Sequence, residues 1–440
     1  MNVERRDNVR RPDSALNCET GGGAEGKAKP FTICKWDVLR AWELVKANRG
    51  APGIDGQSID DFESNLKDNL YKLWNRLSSG SYHPPAVKGV AIPKKSGGER
   101  LLGIPTVADR VAQMVVRMTF EPLVEPHFLP DSYGYRPNKS AIDAIRVTRQ
   151  RCWQQDWILE FDIKGLFDNI SHTLLMKAVR KHCDIPWVCL YIERWLKAPI
   201  VTEDSLEEER LKGTPQGGVI SPVLSNLFLH YVFDKWMQKY HPQLKWCRYA
   251  DDGLVHCNSE AEAHYLLTLL KQRFSECELA LHPDKTRIAY CKDGQRKGKY
   301  QHTSFDFLGY TFRPRVVKNR RRNSLFVSFT PAVSKSALKA MRFKIRKLRI
   351  RLRTDLNVAQ LAGWLNPILN GWIGYYGQFC RSELYKVFRH LNKALVRWAR
   401  RKFKALRKYK TRAGKFIEGI ASKNPGLFAH WRAGIVGAFV

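Results

Sequence analysis

The run Tyr249-Ala250-Asp251-Asp252 constrains this chain more than any other, because of what stands before it. Asp162 lies 89 residues upstream, in Phe161-Asp162-Ile163-Lys164-Gly165-Leu166-Phe167, and Thr214-Pro215-Gln216-Gly217-Gly218 falls between the two. An aromatic-x-Asp-Asp run alone is weak, since composition produces it by chance in roughly one chain in several of this size. An exposed acidic turn would read the same way. The combination is more specific. Carboxylates on a tight turn that face another on a strand repel one another unless cations sit between them. Two divalent ions held so are what in-line attack of a 3′-hydroxyl on a nucleoside triphosphate requires, one for the nucleophile and both for the phosphate oxygens. Oxygen ligands with a phosphate-bearing substrate favour Mg²⁺ over zinc.

The charge is as uneven as the motif is compact. The 440 residues carry a formal net charge of +33. Residues 331–440 alone hold 25 Lys and Arg against Asp355, Glu383 and Glu418, so a quarter of the chain carries two thirds of the excess. Such a bias points to a polyanion partner whose affinity falls steeply with salt. Nucleic acid leads, with a membrane surface a distant second. Hydrophobic residues at 44% argue against wholesale disorder. No run of about 18 apolar residues suggests a membrane span. Residues 1–30 are polar and Gly-rich without the apolar centre of a signal peptide, and read as a mobile tail on an intracellular protein. The ten cysteines are scattered without any Cys-x-x-Cys, so reduced thiols and no zinc site are expected. Cys247 and Cys257, which flank the acidic turn, read as small packing residues.

Periodicity divides the chain. Residues 36–48 space Trp36, Leu39, Leu44 and Val45 as a helix, which breaks at the turn-rich residues 49–56. Residues 59–77 read as one amphipathic helix through Phe62, Leu66, Leu70 and Leu73. Residues 90–94 and 100–104 resemble two strands of a Gly-bearing hairpin, and a long helix through Val111, Met114, Val115, Met118 and Leu123 follows. Residues 158–163 form a short strand, and residues 245–257 alternate as a β-hairpin with both aspartates at its turn. Strand signals then stay sparse until residues 305–310. Beyond Phe329 the spacing is helical, through Leu338, Met341, Ile345, Leu348 and Leu352. It continues over residues 358–379, with a kink at Pro367, and again over residues 384–398. Three amphipathic helices suggest a small, separate, basic bundle.

Taken in order, these segments resemble the reverse transcriptases, specifically the group II intron-encoded type that also acts as a maturase. The resemblance runs from Asn48 to the C-terminus. It includes Gly53-Ile54-Asp55-Gly56, Ile104-Pro105 with Asp109-Arg110, and Ser132-Tyr133-Gly134-Tyr135-Arg136-Pro137, besides the three segments already quoted. Phe307-Leu308-Gly309-Tyr310 and Gly371-Trp372-Ile373-Gly374-Tyr375-Tyr376 complete it. The fold implied is α+β, a right-hand polymerase. Fingers and palm surround a small antiparallel sheet over residues 31–325, and an α-helical thumb or maturase bundle covers residues 326–440.

The resemblance also implies roles. Asp162 and Asp251 would ligate two Mg²⁺ ions (Mn²⁺ a possible substitute), with the carbonyl of Ile163 assisting and Asp252 nearby. Gly165 and Leu166 would offer backbone N–H groups to the triphosphate. Phe167 would lie under the sugar and exclude a 2′-hydroxyl; its alternative is a core aromatic. Lys94 and Arg100 would grip the triphosphate from across the hairpin. Gln216 and Gly217 would contact the nucleotide and templating base, Lys285 would be the general acid for pyrophosphate departure, and Phe307, Leu308 and Gly309 would hold the primer end. Arg389, Lys393, Arg397 and Arg401 recur every four residues as one basic stripe on a helix. Arg313, Arg315, Lys318 and Arg320-Arg321-Arg322 form a second cluster. Both should contact phosphates without reading sequence.

The partners implied are group II intron RNA, a DNA primer or target and deoxynucleoside triphosphates, in a bacterial cytoplasm. No cysteine follows Cys380, so the chain resembles the compact subgroup without a zinc-bearing nuclease module. Competing readings are a reverse transcriptase domesticated for defence or repair, and a splicing cofactor whose polymerase site is vestigial. An RNA-dependent RNA polymerase is disfavoured by Gln216-Gly217 and Phe167.

Overall fold

The structure is a computed structural model describing residues 29–93, 98–202, 205–208, 210–319 and 322–439. Lys94, Arg320, Arg321 and most of the expected N-terminal tail therefore lie outside the described residues. In chain order the strands are β1 (Val87–Pro93), β2 (Glu99–Ile104), β3 (Trp157–Asp162), β4 (Ile200–Thr202), β5 (Ser205–Glu208) and β6 (Lys245–Tyr249). They continue as β7 (Asp252–Cys257), β8 (Arg287–Tyr290), β9 (Phe305–Phe307), β10 (Tyr310–Asn319) and β11 (Ser324–Val333). Three small sheets result, ordered β2-β1-β4-β5, β6-β7-β3-β8 and β11-β10-β9. No helix among the described residues is long and apolar enough to cross a membrane.

The chain divides into two compact units. The first comprises residues 1–140, 161–254 and 265–286, and the second residues 141–160, 255–264 and 287–440. In the first, the opening helices are α1 (Lys35–Asn48), α2 (Ile59–Ser64) and α3 (Leu66–Ser78). The single helix expected over residues 59–77 is thus two. Ser58 and Asp61 close a capping box at the start of α2, while Asn65 leaves helical geometry at φ −126°, ψ 46° and ends it. Helix α4 (Val107–Val124) is the spine of the unit and buries Val111, Met114, Val115 and Phe120. The hairpin expected from the pattern is β1–β2, in register with Ile92 opposite Arg100, and the structure adds β4 and β5 beside it.

The second unit begins with α5 (Ala141–Gln154), which packs on β11. The chain then returns to the first unit for α6 (Leu166–Asn169), α7 (His172–His182), α8 (Pro186–Lys197), α9 (Ser221–Leu229) and α10 (Lys235–Tyr240), and for most of α11 (Glu260–Glu276). The C-terminal bundle of the second unit holds α12 (Lys335–Lys347), α13 (Val358–Tyr376), α14 (Tyr385–Lys402), α15 (Lys410–Lys423) and α16 (Ala429–Arg432). Helix α12 stops earlier than its periodicity suggested, because Arg349 turns left-handed and Ile350–Leu352 tighten to a 3₁₀ turn. Helix α13 runs on through Pro367. One apolar core joins these helices, with Leu338, Leu361, Leu391, Leu395 and Trp398 fully or nearly fully buried. Its C-terminal end is tied by Asn392. The Oδ1 of that residue accepts from His430 Nε2 at 2.7 Å and Trp431 Nε1 at 3.0 Å, and its Nδ2 donates to the Gly437 carbonyl at 2.8 Å.

Candidate active site

Four of the expected residues, Asp162, Asp251, Asp252 and Lys285, converge in the first unit. Asp162 ends β3, buried at 8% exposure, and its carbonyl accepts the His282 N–H at 2.8 Å. The backbone beyond it is fixed from the other side. Ile163 bridges to Leu281, and the Lys164 N–H donates to the Ala280 carbonyl at 2.8 Å. That pairing carries Lys285 round so that its Nζ lies 2.7 Å from Asp162 Oδ2. Asp251 and Asp252 come from the tight turn that joins β6 to β7, where Ala250 is left-handed at φ 56°.

The electrostatics follow from crowding. Burial, then Asp251 and Asp162, push the Asp252 carboxyl up to about 7, and it shares a hydrogen bond with Asp162. Burial and Asp162 likewise raise Asp251. Burial works against the Lys285 ammonium, but its hydrogen bond to Asp162 and the neighbouring carboxylates more than offset this and hold its pKa above the ordinary value. An all-oxygen set that resists ionising together suits a hard divalent cation. As it stands, no group of three His, Cys, Asp or Glu among the described residues is arranged to hold an ion. Lys285 pairs with one of the Asp162 carboxylate oxygens, Oδ2, at 2.7 Å.

A second loop is bound to the turn after Asp162. Gly165, left-handed at φ 57°, starts the one-turn helix α6, which includes buried Leu166 and half-buried Phe167. The Phe167 carbonyl accepts the Thr214 N–H at 2.6 Å. Gln216 reaches toward the Asp168 carboxylate at 3.4 Å, and its carbonyl accepts the Gly103 N–H of β2 at 2.8 Å. Gly217 has φ +123°, and a β-carbon there would stand 2.4 Å from the Gly103 carbonyl oxygen, so only glycine fits. Arg100, on β2 of the same sheet, is exposed.

Sequence reasoning assigned no role to the residues beneath these loops, although Asp109, Ser132 and Gly134 lie in the motifs quoted above. Arg248 is fully buried on β6 and makes a two-pronged ion pair with equally buried Asp234, at 2.8 and 2.7 Å. Its remaining N–H groups donate to Ser132 Oγ, Asn226 Oδ1 and the Ala250 carbonyl at 2.9, 3.1 and 3.3 Å. Asn226 in turn donates to the Gly134 carbonyl at 2.6 Å. Gly134 must be glycine, since a β-carbon would meet the Ala250 nitrogen at 2.4 Å. A parallel arrangement supports the Gln216 loop. Gln113 Oε1 accepts the Val219 N–H at 2.7 Å, and its Nε2 donates to Asp109 at 2.9 Å. Asp109 also accepts from Tyr82 at 2.8 Å and Trp195 at 2.7 Å. The available signal was a charged residue inside an apolar stretch, as with Asp234 after Val232-Phe233.

The remaining expected residues belong to the second unit. Phe307 is buried, the Leu308 carbonyl accepts Tyr375 Oη at 2.8 Å, and Gly309 packs under Tyr376. The stripe Arg389, Lys393, Arg397 and Arg401 lies along α14, with all four residues exposed on its outer side. Arg315 departs from expectation. It is half-buried, hydrogen-bonded to Glu383 at 3.1 Å and to the Thr330 and Thr311 carbonyls, so it braces the β10–β11 hairpin instead of facing phosphate. Cys247 and Cys257 are buried free thiols, as packing residues should be.

Comparison with known proteins identifies the family. Residues 92–312 match the family Reverse transcriptase (RNA-dependent DNA polymerase), half of the chain. The chain belongs to that family. Residues 338–416 match the Group II intron, maturase-specific domain, which places it with the intron-encoded reverse transcriptases that carry a maturase region. Protein YkfC of Escherichia coli is 30% identical over 331 residues, 66% of this chain and 83% of that protein. Group II intron-encoded protein LtrA of Lactococcus lactis is 34% identical over 193 residues, 43% of this chain but 32% of LtrA. The Putative COX1/OXI3 intron 1 protein of Saccharomyces cerevisiae is 29% identical over 205 residues, 46% of this chain and 24% of its own.

Proposed function

We propose that this reverse transcriptase copies intron RNA into DNA from a primed DNA target and binds the same RNA to assist its splicing and mobility. The convergence of Asp162, Asp251, Asp252 and Lys285 carries the reading. A pair of Mg²⁺ ions, with Mn²⁺ as substitute, would be held by Asp162, Asp251 and the Ile163 carbonyl with Asp252 beside them, and when bound supplies neutralising charge to the phosphates and an activated 3′-oxygen. Lys285, released from Asp162, stays protonated at neutral pH and can donate to the departing pyrophosphate. Gly165 and Leu166 offer N–H groups at the start of α6, while Arg100 and Lys94 would reach the triphosphate from the hairpin. Phe167, locked through its carbonyl to Thr214, is the candidate sugar gate. Gln216 and Gly217 border the nucleotide and templating base.

The boundary between fingers and palm (residues 31–325) and thumb (residues 326–440) is supported by the gap between the two family matches. Leu308 and Gly309 would present backbone to the primer, with Phe307 as their buried anchor. The basic stripe on α14 would hold RNA phosphates. The test is primer extension on an RNA template. Asp162→Asn or Asp251→Asn should slow it by at least about 10³-fold, roughly 4 kcal/mol in the barrier, while RNA binding persists. Near-normal DNA synthesis by either variant would overturn the assignment.

A further inference from the structure

Where α12 ends and α14 passes it, the second unit has a cavity of about 600 Å³, within the range usual for small-molecule sites. Arg346, Arg349, Arg351 and Arg397 rim it, with His390 between them. Its floor is apolar, from Ile345, Ile350 and Ala394. None of the four arginines has a carboxylate partner among the described residues. Of the three acids in the bundle, Asp355 is engaged by Arg353 and Glu383 by Arg315 and Lys386. The local field is felt by His390, whose pKa is lowered first by burial and then by Arg397, Arg346, Arg342 and Lys393.

A second observation is independent of charge. Arg349 follows α12 at φ 47°, ψ 39°, the left-handed position where glycine is the low-cost residue. A β-carbon there costs roughly 1–2 kcal/mol, and strain of that kind persists where function needs the side chain. The apolar floor separates this pocket from a plain phosphate site. Guanidinium planes and aliphatic walls suit a flat base, and RNA offers unstacked bases at bulges and loops.

We propose that this pocket receives one unpaired nucleotide turned out of an RNA helix, its phosphates on Arg346, Arg349 and Arg351 and its base over the Ile345–Ala394 floor. The inference deepens the reading of α14 as an RNA-binding face, with Arg397 common to both. The full chain is titrated with two RNA hairpins of equal length, one fully paired and one carrying a single bulged 2-aminopurine. Wild type should bind the bulged RNA at least about tenfold more tightly, with a change in 2-aminopurine fluorescence. Arg349→Gly should abolish that preference without lowering Tm, because it also removes the strained β-carbon. Ala394→Trp, which fills the floor and keeps every charge, should do the same.

Equal wild-type affinity for both hairpins, or a preference that survives both variants, overturns the pocket while leaving the RNA-binding reading intact. Loss of binding to both hairpins alike in Arg349→Gly makes the residue part of a general field and also overturns it. A free mononucleotide that displaces the bulged RNA at similar concentration would make this a free-nucleotide site instead. Binding of neither hairpin by wild type defeats the RNA-binding reading itself.

Discussion

Arg248→Met should destabilise the first unit by an amount that depends on pH in a defined way. The substitution keeps a long side chain but leaves Asp234 buried at 0% exposure without its partner. Breaking such a pair from one side costs about 3–5 kcal/mol. An independent bound comes from protonation. The orphaned carboxyl can escape its charge by binding a proton, which at pH 7 costs about 1.36 kcal/mol for each unit above its ordinary pKa near 3.9, or roughly 4 kcal/mol. At pH 5 the same escape costs only about 1.5 kcal/mol. In the wild type burial raises Asp234, but Arg248 first and His230 after it outweigh that and hold the carboxyl below its ordinary value, so the stabilisation is intact at both pH values and is lost only on further acidification. In the variant the folded pKa lies above the unfolded one, and stability falls as pH rises through that window.

The penalty, measured by urea unfolding with wild type alongside, should therefore shrink by about 2–3 kcal/mol between pH 7 and pH 5. The missing hydrogen bonds to Ser132, Asn226 and Ala250 add a part that does not vary with pH. A penalty equal at both pH values would show that packing, not an orphaned charge, sets the cost. A penalty under about 1 kcal/mol at pH 7 would show that the pair is dispensable.

Phe167→Ala should raise ribonucleotide incorporation relative to deoxynucleotide by at least about tenfold, roughly 1.4 kcal/mol, in single-nucleotide addition on an RNA template; an unchanged ratio moves the gate to another residue. Replacing Arg389, Lys393, Arg397 and Arg401 by Gln should flatten the salt dependence of RNA binding by about 0.7 to 0.9 in slope for each phosphate no longer neutralised, and an unaltered slope would detach the stripe from RNA. His430 is held by burial at a pKa of about 3. A depressed histidine contributes stability above about pH 6.5 that is lost as pH falls toward the folded value. His430→Gln should remove about 2 kcal/mol of the wild-type loss between pH 7 and pH 5, read by thermal unfolding.

What was legible in the sequence was chemistry with a short spacing. Asp251-Asp252 on a hairpin and Asp162 at a strand end are local patterns, and the structure has them where alternation put them. The unreadable part was long-range. Nothing local in Trp246-Cys247-Arg248-Tyr249 distinguishes a buried guanidinium from a surface one. Its status depends on Asp234 and Ser132, which reach it only through the fold. Arg315 failed for the same reason in reverse, as a basic residue in a basic cluster that proves to be braced by Glu383. The long β10–β11 hairpin was hidden because its outer half is exposed on both faces, with Val316 and Leu325 at 67% and 70%, so it shows little alternation.

The buried network and the acidic site are two sides of one requirement. Three carboxylates with Asp252 pushed up to about 7 describe a cluster whose ionised form the fold does not favour. Ala250, left-handed without being glycine, adds backbone strain at the same turn. Neither feature helps the chain fold, and both oppose a relaxed turn. Something rigid must therefore hold the turn in place. Arg248 does so by leaving its guanidinium no freedom, its donors committed to a carboxylate, a hydroxyl, an amide and the Ala250 carbonyl itself. Gly134 leaves no room for the turn to slide. On this reasoning, loosening Arg248 should impair catalysis even at pH 5, where most of the stability is recovered, because protonating Asp234 restores the fold's energy without restoring the hydrogen bond to Ala250.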